Sequence, residues 1–219
     1  MNKGIEMMNT KEKIPPFCEG VRWVVIDLET TGLDPEEHGV IEIAAKTDDG
    51  GVFELNCAPN GTSAELEALA VNGRLGSLAD GPDSVEEIAA GYRLGVLQAT
   101  TGRVIPQREA VVRLLKWLME QNPSGRWTLV NRNPKFDLGF LRASSGLTRR
   151  VIDPEVVDLH DLVRAEMVRM GIRPARFTTN ERYAILGFPP EPLPHTALNG
   201  VEAAHCVASR FLGRKEVQG

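Results

Sequence analysis

No apolar run in this chain approaches the ~20 consecutive residues that span a bilayer, which excludes a helical membrane protein. Met1 to Glu19 alternates charge, Met and Pro-Pro. It lacks the continuous apolar stretch of a secretory signal, and is expected to be a poorly ordered extension over residues 1–20. A start at Met7 or Met8 would lose nothing visible. Cysteine is sparse: Cys18, Cys57 and Cys206 are odd in number, far apart and without metal-ligand spacing. That argues against a disulfide scaffold and for a reducing, cytoplasmic setting. Internal repeats and low-complexity tracts are missing, and no long tail follows Gly213.

Net positive charge is missing too. The formal balance of −5 argues at first against a polyanionic partner, but the distribution is uneven. Residues 1–125 hold 11 basic and 20 acidic side chains, whereas residues 126–219 hold 14 basic and 10 acidic. Much of the basic excess comes from Arg164, Arg169, Arg173, Arg176 and Arg182. Local basic surface near a site attracts phosphates more than global charge does. A solvated arginine-bearing helix and loop explains the same residues equally well.

What is present is material for one medium-sized domain: 219 residues, 42% of them hydrophobic, expected to cover 21–213. Val21–Leu28 reads as a buried first strand. Val40–Lys46 and Val52–Cys57 are strands joined by an Asp-Gly hairpin signal. Ser63 to Ala70 is expected to be a helix. Residues 74–106, punctuated by Gly and Pro and containing one amphipathic piece, Ser84–Leu97, read as an insertion. Gln107–Gln121 carries a helical apolar stripe, Trp127–Val130 is a short central strand, and Pro134–Ser144 a helix. Val156-Val157 ends another strand, and Asp158 and Asp161 stand at capping-box-like spacing before a Leu162–Met170 helix. Thr178–Leu186 and Thr196–Leu212 are the last helices, either side of a rigid loop, Pro189–Pro194. A hairpin followed by alternating helices and short strands implies an α/β fold, a mixed sheet flanked by helices.

The chemistry centres on Asp27-Leu-Glu29, between the apolar run Val21–Ile26 and Thr30-Thr-Gly-Leu33. In a strand, residues i and i+2 project from one face, so both carboxylates point the same way. Two such anions in a partly dry site call for neutralisation, and hard divalent cations prefer oxygen ligands. A second Asp-x-Glu, Asp153-Pro-Glu155, has no strand before it and is expected to be a turn. Asp137 lies in Leu129–Leu141, and His195 precedes the last helix. Among the other histidines, His160 and His205 read as structural or solvated, and His38 lies in a polar loop.

In order and spacing these segments resemble the motifs of the DEDDh exonucleases, which include replicase proofreading subunits, RNase T and oligoribonuclease. The resemblance runs from about Val21 to Leu212. It implies an RNase H-like fold, its first three strands antiparallel and the rest parallel, and 3′–5′ hydrolysis of single-stranded DNA or RNA from the 3′ end. It implies two Mg²⁺ or Mn²⁺ ions, ~3.5–4 Å apart in two-metal sites, held by Asp27, Glu29 and Asp137. His195 would be the general base, a role its ordinary pKa of ~6.5 suits. Thr30, Thr31, Gly32 and Leu33 would meet the terminal nucleotide, with Leu33 against a base, and Asn133 and Phe136 match the second motif. Gly32 is expected to relieve the backbone of a crowded turn. Core packing accounts for at least one of Phe136 and Phe140. Arg132 stands where many members have histidine. Proofreading or repair fits the family, a stand-alone trimming nuclease fits the short C-terminus, and a homodimer is among the open oligomeric states.

One position departs from the pattern. Five residues after the histidine, where the family has its fourth carboxylate, stands Gly200. Ala197, Val201, Ala204, Ala208 and Phe211 place it well inside a helix, where Gly costs ~1 kcal/mol relative to Ala. Glu202, about 200° further around the helix axis, points elsewhere, and Asn199 is neutral. The alternative is therefore a catalytically impaired relative that binds 3′ ends or a protein partner. A different phosphoesterase on the same fold, acting on a small nucleotide, is the second alternative.

Overall fold

The computed structural model describes residues 21–59, 105–190, 192 and 195–213. In chain order the strands are β1 (Trp23–Thr30), β2 (Val40–Thr47), β3 (Val52–Ala58), β4 (Ile105–Pro106), β5 (Trp127–Asn131) and β6 (Ile152–Asp158). The helices are α1 (Gln107–Gln121), α2 (Pro134–Ser144), α3 (Thr148–Val151), α4 (Leu159–Arg169), α5 (Thr179–Ile185) and α6 (Ala197–Leu212). The strands form one sheet in the order β4-β3-β2-β1-β5-β6. β1, β2 and β3 are antiparallel, and β5 and β6 run parallel to β1. This is the mixed sheet that the resemblance implies.

Alternation along β1 sends its residues to two cores. Val24, Ile26 and Leu28 pack with Leu114, Leu115 and Leu118 of α1 and Phe140 and Leu141 of α2. Trp23 and Val25 pack on the other face with Val163 and Met167 of α4 and Val201, Ala204 and Ala208 of α6. Asp27 and Glu29 continue the second row toward the end of the strand. The β2–β3 connection is the expected Asp-Gly turn, with Gly50 at φ 93°, a conformation open to Gly at no steric cost. Arg22 fastens it, reaching Asp48 and Asp49 at 2.7 Å each.

The structure departs from the expectations at several points. Asp153-Pro-Glu155 is no turn but lies inside β6. That strand is at the sheet edge, and its register against β5 slips between Trp127↔Ile152 and Leu129↔Val156. An edge strand with a bulge tolerates Pro, whose missing N–H would break a central ladder. Ile105 and Pro106 pair with Cys57 and Ala58, so the segment assigned to the insertion rejoins the sheet before it ends. α4 begins at Leu159, because Asp158 itself is the N-cap, accepting from the His160 N–H at 2.8 Å. Asp161 does not complete a capping box; it pairs with Arg164 at 2.8 Å. A complete capping box instead starts α5, from Thr178 and Glu181. The Ser63–Ala70 helix, the Ser84–Leu97 piece and the N-terminal extension lie outside the described residues.

Candidate active site

Asp27 and Asp137 come together at the end of β1. Asp137 is in the first turn of α2, where the positive end of the helix dipole favours a carboxylate. It is 3% exposed, and its Oδ1 accepts from the Leu28 N–H at 3.2 Å. Asn131, last residue of β5 and itself buried, joins the two acids. Its Nδ2 donates to the Ile26 carbonyl at 2.6 Å, to Asp27 Oδ1 at 3.1 Å and to Asp137 Oδ2 at 3.3 Å. Burial, and then the nearby charge of Asp27, push the Asp137 carboxyl well above the usual carboxylate range.

Glu29 shares Asp27's face of β1 and stands directly opposite Glu42 of β2. Like charges in that relation repel. The register slips just beyond the pair, at Glu29/Thr30; such bulges re-aim side chains and are common near active sites. Glu42 Oε2 accepts from the Ala197 N–H at 3.2 Å, at the first residue of α6. That helix is capped by Thr196, whose hydroxyl accepts from the Asn199 N–H. His195 is half-buried in the chain just ahead of this cap. The helix that follows it thus touches the site twice, at Ala197 against Glu42 and at Gly200 against Asp27.

Gly200 is the tightest of these contacts. A Cβ built on it would lie 2.8 Å from Asp27 Cγ, with the nearer carboxylate oxygen overlapping it. The Asp27 carboxylate fills the space of the missing side chain. Glu202 turns away to Lys46, at 2.6 Å, as its position around the helix predicts.

The Thr30–Leu33 segment is a braced turn. Thr30 Oγ1 donates to the Gly32 carbonyl at 2.7 Å, and Thr31 exchanges bonds with Gly39 through both backbone and hydroxyl. His38 lies in a loop, as expected, and is buried there. It is 7% exposed, and its Nδ1 accepts from the Asp34 N–H at 3.1 Å. Its ring sets the need for Gly32: a Cβ there would lie 2.6 Å from His38 Cγ. Close approach of this imidazole, rather than a special turn conformation, excludes a side chain. Leu33 is 71% exposed at the tip. Asn133 is exposed in the left-handed region at φ 56°, and Phe136 is half-buried 5.0 Å from the Phe140 ring. Phe140 is wholly core.

Of the arginines ahead of His195, Arg164 and Arg169 pair with acids one turn away on α4, and Arg182 donates to the carbonyls of Pro174 and Phe177. Arg173 and Arg176 are exposed.

Among the described residues, no three His, Cys, Asp or Glu side chains stand in the arrangement of a bound metal. The donor set nonetheless suits a cation in one respect. Asp137 is buried against the half-buried Asp27, and that burial, with the charge of Asp27, acts against joint ionisation of the two acids. A hard divalent ion on their oxygens would remove that penalty. Sequence reasoning missed Asn131 and Glu42. Both could be read from pattern: a polar residue closing the central strand, and an acid on the inward face of Val40-Ile-Glu-Ile.

No protein-family model matches the chain, and no curated protein sequence does. Solved structures do match. The nuclease domain of 3′hExo, a DEDDh family member, bound to rAMP, is 15% identical at TM-score 0.56, over 87% of this chain and 91% of that one. A 3′-exonuclease solved in 3′-end specific recognition of histone mRNA stem-loop is 13% identical at TM-score 0.57, over 88% of this chain and 63% of that one. A full-length 3′-exonuclease is 15% identical at TM-score 0.51, over 87% and 81%. The chain has the RNase H-like fold of these DEDDh 3′-exonuclease domains.

Proposed function

We propose that the protein is a divalent-metal-dependent 3′–5′ exonuclease acting on single-stranded DNA or RNA. The observation that carries this reading is the pair of half-buried Asp27 and buried Asp137, joined by Asn131, with the Gly200 face of α6 against it. Asp27, Asp137 and Glu29 would hold Mg²⁺ or Mn²⁺, which when bound supplies an activated water and neutralises charge in an in-line displacement. Asn131 fixes the orientation of both aspartates. His195 accepts the proton of the attacking water from its position at the start of α6. The Thr30–Leu33 turn offers backbone groups and an exposed apolar tip to the terminal nucleotide, and Asn133 and Phe136 flank its other side. A sequence-tolerant grip on one unstacked end fits such a site.

One observation favours a second reading. Gly200 leaves the acid set one carboxylate short, and Asp27 occupies the vacated space; a module that binds 3′ ends with little turnover has that appearance. End-labelled DNA and RNA oligonucleotides of matched sequence, incubated with Mn²⁺ or with chelator, separate the two. The enzyme reading expects metal-dependent shortening from the 3′ end, lost in Asp27→Asn and strengthened in Gly200→Asp. End-binding without shortening, in wild type and in Gly200→Asp alike, would leave only the binding module.

A further inference from the structure

Gly200 leaves α6 without a carboxylate, and β2 carries an acid beside the gap. Glu42 lies directly opposite Glu29 in the β1–β2 ladder, with Ala44 opposite Asp27. Residues paired in this way project from one face of a sheet. Asp27, Glu29 and Glu42 therefore share the face that α6 covers, where Ala44 packs with Val201, Ala204 and Ala208. One turn of α6 spans the group: the Ala197 N–H meets Glu42, and Gly200, three residues on, meets Asp27. Directly opposed side chains start about 4.5–5.5 Å apart at Cβ, and diagonal pairs such as Asp27 and Glu42 within about 8 Å. Carboxylates at those separations can meet on one ion.

Two features call for a cation at Glu42 in particular. Like charges directly opposite destabilise a ladder, and both Glu29 and Glu42 are half-buried, where water screens them less. The lysine on this face of β2 does not answer that charge, because the Lys46 ammonium pairs with Glu202 of α6 at 2.6 Å. The bond from Glu42 Oε2 to the Ala197 N–H, 3.2 Å long, does not consume the group. An ionised carboxylate has roughly four acceptor positions, so one side chain can anchor α6 and ligate an ion.

We propose that Glu42 is a metal ligand that replaces the carboxylate absent at position 200. The acid set of this protein is then Asp27, Glu29, Glu42 and Asp137, its fourth member supplied by β2 instead of α6. Hard divalent ions take oxygen donors whichever element delivers them. The proposal rests on the metal-dependent exonuclease reading, and it removes the shortfall that favours a binding module.

Calorimetric titration of the metal-stripped full chain with Mn²⁺ tests this in wild type, Glu42→Gln, Gly200→Asp and the double variant. Glutamine keeps an oxygen for the Ala197 N–H, so Glu42→Gln removes the charge and leaves the helix anchor. Urea midpoints in chelator verify that each chain folds. Glu42→Gln should weaken Mn²⁺ binding by roughly 10–100-fold, the scale on which metal sites respond to a lost partner. The double variant should recover most of that loss, because an acid on α6 refills the set. Gly200→Asp alone should tighten binding by less than about tenfold, and since it leaves Glu42 untouched, this arm decides even where Glu42→Gln does not fold. Unchanged affinity in Glu42→Gln, with binding lost in Asp27→Asn, would overturn the ligand role and leave the exonuclease reading standing. A double variant as weak as Glu42→Gln would show that Glu42 acts only by placing α6. A gain beyond tenfold in Gly200→Asp alone would show a ligand missing from wild type; either result overturns the replacement. A wild type that binds no Mn²⁺ and shortens no 3′ end would remove both readings.

Discussion

A side chain at residue 200 meets one obstacle, and it is the far end of Asp27 rather than backbone. Rotation of that carboxylate frees the space, so Gly200→Asp is sterically accessible. It recovers only roughly 0.3 kcal/mol of helix propensity, since Asp ranks just above Gly. What it adds is a further negative charge beside Asp27 and the buried Asp137. The variant should therefore be less stable than wild type in chelator and should gain more from Mn²⁺, a sign reversal that differential scanning in the two conditions would reveal. Equal responses of the two proteins to Mn²⁺ would place the metal elsewhere. Asp137 makes the complementary case. Its folded pKa is raised by burial and by Asp27, so between the ordinary carboxylate value near 4 and the raised value the folded state binds more protons than the unfolded one. Stability of the metal-free protein then falls as pH rises through that window and is flat above it. Asp137→Asn should flatten the fall and stabilise the chelated protein at neutral pH by on the order of 1 kcal/mol. Urea midpoints from pH 4 upward check both the sign and the size.

The start of α6 is held by two acceptors, Thr196 Oγ1 for the Asn199 N–H and Glu42 for the Ala197 N–H, and this helix carries Gly200 with His195 just ahead of its cap. Removing either acceptor leaves a helix-end N–H without its partner. Thr196→Ala and Glu42→Ala should each lower stability by about 1 kcal/mol, whereas Glu42→Gln, which keeps an acceptor oxygen, should not. Chemical unfolding of the three variants decides this, and a loss in Glu42→Gln equal to that in Glu42→Ala would shift the explanation to charge. The elements themselves were mostly legible. The α1 span follows from the apolar stripe over Gln107–Gln121, the α2 span matches the expected Pro134–Ser144, and the hairpin follows from Asp49-Gly50. One local rule misled: Asp153-Pro-Glu155 has no strand before it and so reads as a turn, because nothing in sequence says that β6 is an edge strand with a bulge. His38 does lie in a loop, and what sequence leaves out is its burial, which depends on a glycine six residues earlier. Asp27 was legible as a candidate from strand context and its spacing to Glu29, and Asp137 through the resemblance of its segment to the family's second motif. Their link through Asn131 was not, since it joins three elements that only the sheet order brings together.

At the scale of the molecule, the sheet separates two cores, and the acids lie where the elements from both sides meet: α2 from the Leu114 side, α6 from the Val163 side. Stability and site are therefore separable by mutation. Leu114 is fully buried in α1, and Leu114→Ala should lower stability by roughly 2–5 kcal/mol through lost burial and the cavity left behind. It touches none of the acids, so the folded variant should keep the wild-type affinity for Mn²⁺. A metal that binds only the folded chain stabilises by RT ln(1 + [L]/Kd), about 2.7 kcal/mol at a hundredfold excess over Kd. The same Mn²⁺ increment should then appear in wild type and in Leu114→Ala, and should be absent in Asp27→Asn. Urea unfolding of the three proteins with and without Mn²⁺ measures it as a displacement of the midpoint at unchanged slope. An increment that survives in Asp27→Asn would mean that the cation binds away from β1, and the burial of Asp137 beside Asp27 would need another explanation.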